Sequence, residues 1–359
     1  MGHVPGQAEL IEAGGENWWQ DPKSQVGNGP FQFTSIVEDQ QIELVRNENY
    51  WNPAKVDGLT FIYIEDSSVA LEAYKQGQLD ILAPDPSQIP AIKEDPELAS
   101  LYIAYKGANT TGLQFNVNKP PFDDLKVREA FAYAIDRDTF CELVRNGDCL
   151  STLTWIPEGI PGYDATETRF GFDPAKAQEA LAASTYGSAD KLPEITLLYS
   201  SGDPANQARH EFLANGFREV LGVEVKLQAL PSADVSAAKK DNSTYPQISL
   251  GGWIGDYPDP QNWVSVFWNS NATFAKRQAY GNPAADELMK VGDTSTDQAA
   301  RIAAYMEAQK LVVGDLPIAN MYNRVNDYVV SPRVKGYAQT PADDQFPGQW
   351  SSTTIELTP

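Results

Sequence analysis

The segment that most constrains the fold is a strand–helix–strand pattern between Ile195 and Leu227. Residues 195–199 form a β-prone run, residues 205–221 carry an apolar stripe at helical spacing, and residues 223–227 alternate between apolar and polar side chains. Two strands joined by such a helix run parallel, with a right-handed crossover that packs the helix on the sheet. The sequence therefore predicts an α/β fold.

A short stretch downstream combines residues that are suited to contact a ligand. Residues 247–250 predict a further strand of the same sheet, and residues 249–260 read SLGGWIGDYPDP. Ligands of open α/β sheets bind beyond the carboxyl ends of strands, which is where this stretch falls. Trp253 offers a large apolar surface with one N–H donor, and Asp256 offers a carboxylate in a loop. Two interpretations stay open: a ligand platform, or a strand that ends in an ordinary proline-stiffened turn. The glycines that let another backbone or a ligand come close are Gly251, Gly252 and Gly255.

The rest of the chain mixes strand and helix signals. Residues 1–27 give no clear element. Further strands are predicted at residues 31–33, 42–45, 59–64, 79–82, 101–105, 112–117, 317–322 and 325–330. Helices are predicted at residues 67–76 with Ser67 as N-cap, at 87–93, at about 127–135, from Asp173 and Pro174 onward, and at about 298–313.

Length and charge limit the classes of function. A chain of 359 residues is long enough for two lobes that each bury a core. Its 49 acidic and 27 basic residues give a net charge of −22, which argues against a nucleic-acid partner because backbone binding needs a positive surface. No apolar run approaches the roughly 20 residues of a membrane helix. Residues 1–5 lack the basic and apolar regions of a signal peptide.

The only cysteines are Cys141 and Cys149. With His3 and His210 as the only histidines, a cysteine–histidine zinc site is not expected, and we predict no metal site. The dipeptide Asn146–Gly147 is typical of a helix end that lets the chain double back toward Cys141. A local disulfide is compatible with that turn and would suit an extracytoplasmic protein.

Catalytic signatures are poor. The sequence has no nucleophile elbow, no phosphate-binding loop and no metal-ligand spacing, so neither an enzyme nor a bound cofactor is predicted. His210 lies in a predicted helix without a motif partner, which favours a packing role. Asp256 and Asp259 stand three apart, and the proline between them favours turn capping, although a glycosidase-type pair stays open. Trp253, Trp263 and Trp268 suit apolar side chains or sugar rings equally well.

Several stretches in order carry a resemblance to a known family. They read VGNGPF at 26–31, RNENYW at 46–51, NKPPFDDLKVREA at 118–130, AIDR at 134–137, PGY and FDPAKA at 161–163 and 172–177, and WIGDY at 253–257. Together they resemble the family 5 extracellular solute-binding proteins, the oligopeptide and dipeptide receptors of ABC importers.

The resemblance implies a periplasmic-binding-protein-like (type II, cluster C) fold of two lobes that close about a hinge. Residues 1–27 would be an N-terminal remnant, residues 28–118 with 326–359 an incomplete lobe I, and residues 119–325 the second α/β lobe. The chain would cross between the lobes at about residues 116–118 and 323–325.

The resemblance also assigns a ligand site. Asp256 matches the carboxylate that pairs with the ligand's α-ammonium, since a buried ammonium needs an acidic partner. Gly252 and Trp253 match the strand and the aromatic wall along which a peptide backbone lies. Tyr257 and Asn116 complete the ligand-binding set that we expect.

Two departures from the family affect the expected ligand. Full-length members carry a long segment before the Gly-x-Gly-Pro motif, whereas this chain has only residues 1–27 there, so we expect part of the cavity to be missing. Leu250 stands six positions before Asp256, where oligopeptide receptors can have an arginine that neutralises a ligand carboxylate.

The resulting hypothesis is a receptor that captures peptides, or another small solute, for the membrane subunits of an ABC importer. We expect an extracytoplasmic location, in the periplasm or at the cell surface, with a lipid anchor on a longer protein. The alternatives are an oligosaccharide receptor of the same family and, from another class, a hydrolase.

Overall fold

The computed structural model of the chain describes residues 8–358, which form two compact units. Residues 1–7, part of the predicted N-terminal remnant, lie outside the described residues. Unit 1 contains the described residues up to Tyr105 and those from Asp327 onward, and unit 2 contains Lys106–Asn326. The first boundary falls earlier than the predicted one at residue 118, because strand Asn109–Phe115 pairs with strand Ile248–Ile254 inside unit 2.

The described part of unit 1 starts with a helix where the sequence predicted no element. This helix, α1 (Ala8–Gly14), is followed by 3₁₀ segments at Gly15–Gln20 and Pro22–Ser24. Three antiparallel strands then pair in the order β1 (Phe31–Val37), β2 (Gln41–Arg46) and β3 (Gly58–Ile62). The remaining elements of this part are α2 (Ser67–Lys75), β4 (Ile81–Leu82), α3 (Ile89–Glu94), α4 (Pro96–Leu101) and β5 (Tyr102–Lys106). Asp66 rather than Ser67 caps α2, since its carboxylate accepts from the amides of Ser68 and Val69.

Unit 2 contains most of the helices. Its α-helices and strands are β6 (Asn109–Phe115), α5 (Leu125–Tyr133), α6 (Arg137–Thr139), β7 (Cys149–Ser151), α7 (Pro174–Ala183), β8 (Ile195–Ser200), α8 (Pro204–Leu221), β9 (Val225–Leu230), α9 (Ser232–Ala238), β10 (Ile248–Ile254), α10 (Pro260–Trp263), α11 (Ser265–Trp268), α12 (Thr273–Arg277), α13 (Pro283–Thr294) and α14 (Gln298–Asp315). Strand β11 (Ile318–Val330) runs from unit 2 into unit 1, which ends with β12 (Val334–Lys335) and β13 (Glu356–Leu357). Within residues 8–358, no helix is both long enough and apolar enough to span a bilayer.

The sheet of unit 2 has the strand order β11-β6-β10-β8-β9. Strands β8 and β9 precede and follow α8 in the sequence, and they pair with each other in parallel. The predicted strand–helix–strand unit is therefore confirmed. Strand β10 also runs parallel to β8, whereas β6 pairs antiparallel with both β10 and β11. The predicted strands at residues 317–322 and 325–330 are instead one continuous strand, β11. Its pairing with β6 shifts register between Asn320 and Tyr322, but the strand continues to Val330.

Two apolar cores involve this sheet of unit 2. One contains strand residues such as Leu113 and Ile248 with the helices α5, α7 and α8. The other contains Trp263, Trp268 and residues of α13 and α14. Leu250 packs against the first core and Trp253 against the second, as the two-residue alternation of a strand requires.

Cys141 and Cys149 form a disulfide, with their Cα atoms 5.3 Å apart. The intervening chain reverses at Asn146 and Gly147, which both adopt positive φ angles, and the Gly147 amide donates to the Cys141 carbonyl at 2.8 Å. An asparagine followed by a glycine adopts this left-handed conformation at low cost. The turn therefore brings together two residues that a continuous helix would hold about 12 Å apart.

Candidate functional site

Strand β10 has one edge that is only partly covered. Its full length pairs with β6 on one side, from Ile248 opposite Phe115 to Ile254 opposite Asn109. On the other side β8 pairs only with Ile248 and Ser249. In the part of the chain that the structure describes, no strand continues the sheet beside Leu250–Ile254. We call this side of Leu250–Ile254 the open edge.

The hydrogen bonds of β10 show which main-chain groups face the open edge. The Gly255 amide donates to the Ala108 carbonyl at 2.8 Å, which continues the pairing with β6. Alternate residues of an antiparallel strand bond to the same neighbour, so the N–H and C=O groups of Leu250, Gly252 and Ile254 point the opposite way. Consistently, the Leu250 carbonyl accepts from Lys239 Nζ at 3.0 Å. The main-chain groups of Gly252 thus face the open edge.

The glycines of this stretch are required by packing within the protein. A Cβ atom at Gly252 would lie 1.9 Å from the Thr110 carbonyl oxygen, and one at Gly255 would lie 2.2 Å from the Trp263 ring. A Cβ atom at Gly251 would meet the Gln114 side chain at 2.2 Å. The sequence analysis allowed these glycines to admit either another part of the chain or a ligand. The structure shows that another part of the chain comes close at all three.

Trp253 lies between the core and the surface. Its ring packs edge-on against Phe267 and Phe274 at centroid distances of 5.5 and 4.9 Å. Its Nε1 donates to Asn262 Oδ1 at 2.7 Å, which fixes the orientation of the indole. Trp263 and Trp268 are fully buried and have no face for stacking on a sugar ring. The clustering of tryptophans in the sequence therefore reflects core packing at two of the three positions.

Asp256 is an exposed carboxylate that forms no ion pair with the described residues. Its amide donates to Asn262 Oδ1 at 3.0 Å, and its carboxylate accepts from Asn262 Nδ2 at 3.2 Å. Asp259 differs, because it caps α10 and accepts from both terminal nitrogens of Arg301 at 2.8 and 2.5 Å. Burial alone would raise the pKa of Asp259, but the hydrogen bonds from Arg301 and the Gln261 amide lower it. Asp259 has the predicted capping use, whereas the exposed Asp256 carboxylate has no such cationic partner among the described residues.

Asn262 is a site residue that the sequence analysis missed. It is 1% exposed, and its amide group holds both the Trp253 indole and the Asp256 loop. The sequence shows only an amide in the first turn of a capped helix, a position that usually faces solvent. Its role depends on the loop folding back over that turn, which no local pattern reveals.

The structure brings together four of the five predicted ligand residues. Tyr257 follows Asp256, is 37% exposed, and its hydroxyl donates to the Gln261 side chain. Asn116 is buried near the opposite end of β10 from Asp256, where its main-chain N–H donates to the Gln247 carbonyl. At about 3.3 Å per residue, the seven residues of β10 separate it from Asp256 by more than about 20 Å. The side chain of Asn116 holds the loop that contains Asn242 and Tyr245.

His210 has the surroundings of a packing residue. It is 3% exposed, its Nδ1 lies 2.6 Å from the Asn206 carbonyl, and its ring stacks on Tyr199 at 4.7 Å. Burial lowers the pKa of His210 to about 4, so the imidazole is neutral at pH 7. Among residues 8–358, no three His, Cys, Asp or Glu side chains gather in a way that would hold a metal ion.

Strand β10 thus lies within the α/β sheet, between β6 and β8, and leads directly into the exposed Asp256 carboxylate. Residues 2–275 match the family described as bacterial extracellular solute-binding proteins, family 5 Middle. The chain belongs to this family, as its sequence motifs indicated.

Individual relatives show what the chain is similar to. It is 30% identical over 322 residues to heme-binding protein A of Haemophilus influenzae, covering 88% of this chain and 58% of that protein. It is 30% identical over 324 residues to di/tripeptide-binding protein 1 of Pseudomonas aeruginosa, covering 86% and 59%. The crystal structure of a periplasmic oligopeptide-binding protein from Borrelia burgdorferi matches with a TM-score of 0.79 at 25% identity, covering 98% of this chain and 68% of that one. The chain thus spans about three fifths of the length of these two sequence relatives.

Proposed function

We propose that this chain belongs to a substrate-binding protein that captures peptides for the membrane subunits of an ABC importer. The observation that carries the proposal is the Asp256 carboxylate, exposed and without a cationic partner among the described residues, at the end of the open edge. A peptide ammonium supplies the positive charge that this position lacks. The names of the relatives support a binding protein rather than an enzyme.

The open edge supplies the second half of the recognition. Gly252 directs an N–H and a C=O toward it, so an extended peptide can add to the sheet as a further strand. Main-chain bonds of this kind do not depend on the peptide's sequence. Trp253 and Tyr257 lie beside Asp256, where their rings would pack against the first side chains of the ligand. This mode suits a receptor for peptides of many sequences.

The proposal extends to location and partners. Relatives of this chain are named as periplasmic binding proteins, and we place this protein outside the cytoplasm as well. The Cys141–Cys149 disulfide fits an oxidising compartment. The proposed interaction partners are a peptide and the membrane subunits of an importer, and the mode of binding requires no cofactor.

The experiment is calorimetric titration of the protein with matched peptides whose amino terminus is free or acetylated. Pairing with a charged group contributes about 1.5–3 kcal/mol, so acetylation and Asp256→Asn should each weaken binding at least about tenfold. In Asp256→Asn the difference between free and acetylated peptides should disappear. Glu219→Gln, which removes a charge from the exposed face of α8, is the control and should bind as the unaltered protein does. Equal binding of free and acetylated peptides by the unaltered protein would refute the role of Asp256.

A further inference from the structure

A cleft in unit 1 lies between two strands that are at the edges of their sheets. Among the described strands, β3 pairs only with β2, and β4 pairs only with β11. A cavity of about 660 Å³ is lined by all residues of Gly58–Ile62 and by all residues of 78–83. Pockets that hold ligands usually measure about 300–1,000 Å³. We call this cavity the unit 1 cleft.

Strand β3 directs main-chain groups away from its one partner. The Tyr63 amide donates to the Gln40 carbonyl at 2.8 Å, so Tyr63 marks which residues of β3 bond to β2. Because alternate residues of an antiparallel strand bond to the same neighbour, the N–H and C=O groups of Gly58, Thr60 and Ile62 point the opposite way. No residue within 8–358 forms a hydrogen bond with these groups. Three residues of β3 thus present unpaired main-chain groups along the cleft.

Strand β4 has the same property on a smaller scale. The Ser331 amide donates to the Asp80 carbonyl at 2.8 Å, and Leu82 lies opposite Val329. The alternation places the N–H and C=O groups of Ile81 on the side away from β11, where no described residue bonds to them. The cleft therefore has main-chain donors and acceptors on two of its walls, as the space for a strand inside a sheet would have.

The edge of β3 lacks the features that keep edge strands from pairing. Residues 58–64 read GLTFIYI, without a charged residue or a proline, and the pairing with β2 is regular from Gly58 to Ile62. Edge strands are normally protected by lysine, by proline or by a bulge. Uncharged, β-prone segments of about six or seven residues without proline pair readily with other strands. This edge is therefore suited to pairing with a further strand.

The walls of the cleft are apolar and carry no net charge. Phe61 packs against Phe346 at a centroid distance of 5.8 Å, and the side chain of Tyr328 also lines the cleft. Asp80 is the one charged residue of the lining, and its carboxylate pairs with Arg333 Nε at 3.2 Å. Charged peptide termini would be desolvated here without a partner, which is costly. The cleft suits the interior of an extended segment better than the end of one.

The charge of unit 1 limits what can bind in the cleft. Unit 1 has 21 acidic and 7 basic residues. A second copy of the chain would bring the same excess of negative charge against this surface, and juxtaposed like charges disfavour association. A segment with basic residues on either side of its apolar part has the complementary charge. The occupant that fits is thus a different polypeptide, neutral in the cleft and basic around it.

We propose that the unit 1 cleft binds an extended segment of a partner protein, which pairs with β3 as an added strand. The five residues of β3 span about 17 Å, so about five residues of the segment lie in the cleft. Main-chain bonds to Gly58, Thr60 and Ile62 hold the segment, and its alternate side chains contact the apolar wall. The inference does not depend on the proposed function, because the open edge of β10 belongs to unit 2.

The first test needs no variant. The probe is the peptide KKTVTVTKK, acetylated and amidated at its ends, and its binding is measured by calorimetric titration of the unaltered protein. Two further peptides carry N-methyl groups on the two valines or on the three threonines, which block opposite edges of the strand. At least one of the two should bind about tenfold more weakly, because it loses main-chain donors to β3. Equal binding of all three peptides would overturn strand pairing in favour of simple apolar contact.

A fourth peptide tests the charge requirement. The peptide EETVTVTEE keeps the same central residues and reverses the charge on either side. At low ionic strength it should bind at least about tenfold more weakly than the probe, and added salt should reduce the difference. Equal binding of the acidic and basic peptides at low ionic strength would overturn the proposed basic partner.

A matched pair of variants then assigns binding to β3. Thr60→Pro removes the N–H that points into the cleft, and the bonds of Phe61 and its alternate neighbours to β2 are kept, as at the edge positions where proline is tolerated. This variant should bind the probe at least about tenfold more weakly. Thr60→Val keeps the N–H and changes only the side chain, so it should bind as the unaltered protein does. Equal binding by Thr60→Pro and Thr60→Val, with equal urea midpoints, would overturn the assignment to β3.

Further outcomes separate the cleft from other modes of binding. Asp256→Asn, which tests the proposed function, should not change binding of the acetylated probe. Loss of probe binding in Asp256→Asn but not in Thr60→Pro would place the probe at the open edge of β10 and overturn the inference. Sedimentation should show a monomer, and a dimer that Thr60→Pro abolishes would identify a second copy as the occupant instead. Absence of probe binding would overturn the cleft and leave the proposed function unaffected.

Discussion

Replacing Asn262 tests whether one buried amide holds the candidate site in place. Asn262 Oδ1 accepts from Trp253 Nε1 at 2.7 Å and from the Asp256 amide at 3.0 Å, so Asn262→Ala leaves both donors without their acceptor. An unpaired buried donor costs about 1–3 kcal/mol, although water can replace the acceptor at the exposed Asp256 loop. With about 1 kcal/mol for the space left by the truncated side chain, we expect Asn262→Ala to lower the free energy of unfolding by about 2–4 kcal/mol.

Asn262→Asp separates the acceptor role from the donor role. The aspartate keeps an oxygen for both donors, but it replaces the Nδ2 group that donates to the Asp256 carboxylate at 3.2 Å. Repulsion between the two carboxylates raises the pKa of the introduced group above its unfolded value of about 4. The folded state is therefore little affected below pH 4 and loses stability as the pH rises. Because Asp256 is exposed, we expect this loss to be only about 1–2 kcal/mol at pH 8.

The assay is urea unfolding at pH 4, 6 and 8, followed by tryptophan fluorescence. Asn271→Asp adds the same charge at an exposed position and is the control, with no expected change. The Asn262→Ala loss should be similar at all three pH values, and the Asn262→Asp loss should grow with pH. An Asn262→Ala midpoint equal to that of the unaltered protein, or an Asn262→Asp loss that is the same at pH 4 and pH 8, would refute the reasoning.

Three further predictions concern stability of unit 2. Gly252→Ala places a Cβ atom 1.9 Å from the Thr110 carbonyl oxygen and should lower the free energy of unfolding in urea by about 2–4 kcal/mol. Gly216→Ala in α8, where the added Cβ has no contact closer than 3.8 Å, should raise it by about 0.5–1 kcal/mol. Reduction of the Cys141–Cys149 disulfide should cost about 2–3 kcal/mol by loop-closure entropy, and an unchanged urea midpoint in reductant would contradict this. Because the folded pKa of His210 is lowered to about 4, its contribution to stability should be lost as the pH falls from 6.5 to 4, by up to about 3 kcal/mol, and this loss should be absent in His210→Phe.

The sequence predicted those features that depend on local periodicity or on short motifs. The strand–helix–strand unit between Ile195 and Leu227 is found because its apolar spacing reflects burial on one sheet. The turn at Asn146 and Gly147 was recognisable because positive φ angles select few residue types. Strand β10 was predicted too short, since glycines weaken the strand signal at the residues where pairing with β6 continues.

Other features depend on contacts between distant parts of the chain. Residue 118 was predicted as a boundary from the resemblance to the family, but strand β6, which precedes it, pairs with β10 and lies in unit 2. Asn116 was predicted in the ligand set, and in the structure its side chain donates to the carbonyls of Asn242 and Tyr245, more than a hundred residues away in sequence. Neither outcome follows from a local pattern, because pairing is settled only when the whole sheet forms.

The candidate site itself illustrates both situations. Asp256 is identified by the strand that precedes it and by the turn residues that follow it, all within a few positions. Asn262 holds the Trp253 indole and the Asp256 loop only because that loop folds back over the first turn of α10. If the open edge binds a peptide as proposed, the main-chain bonds to Gly252 are common to every peptide, so the strand should discriminate little between ligand side chains.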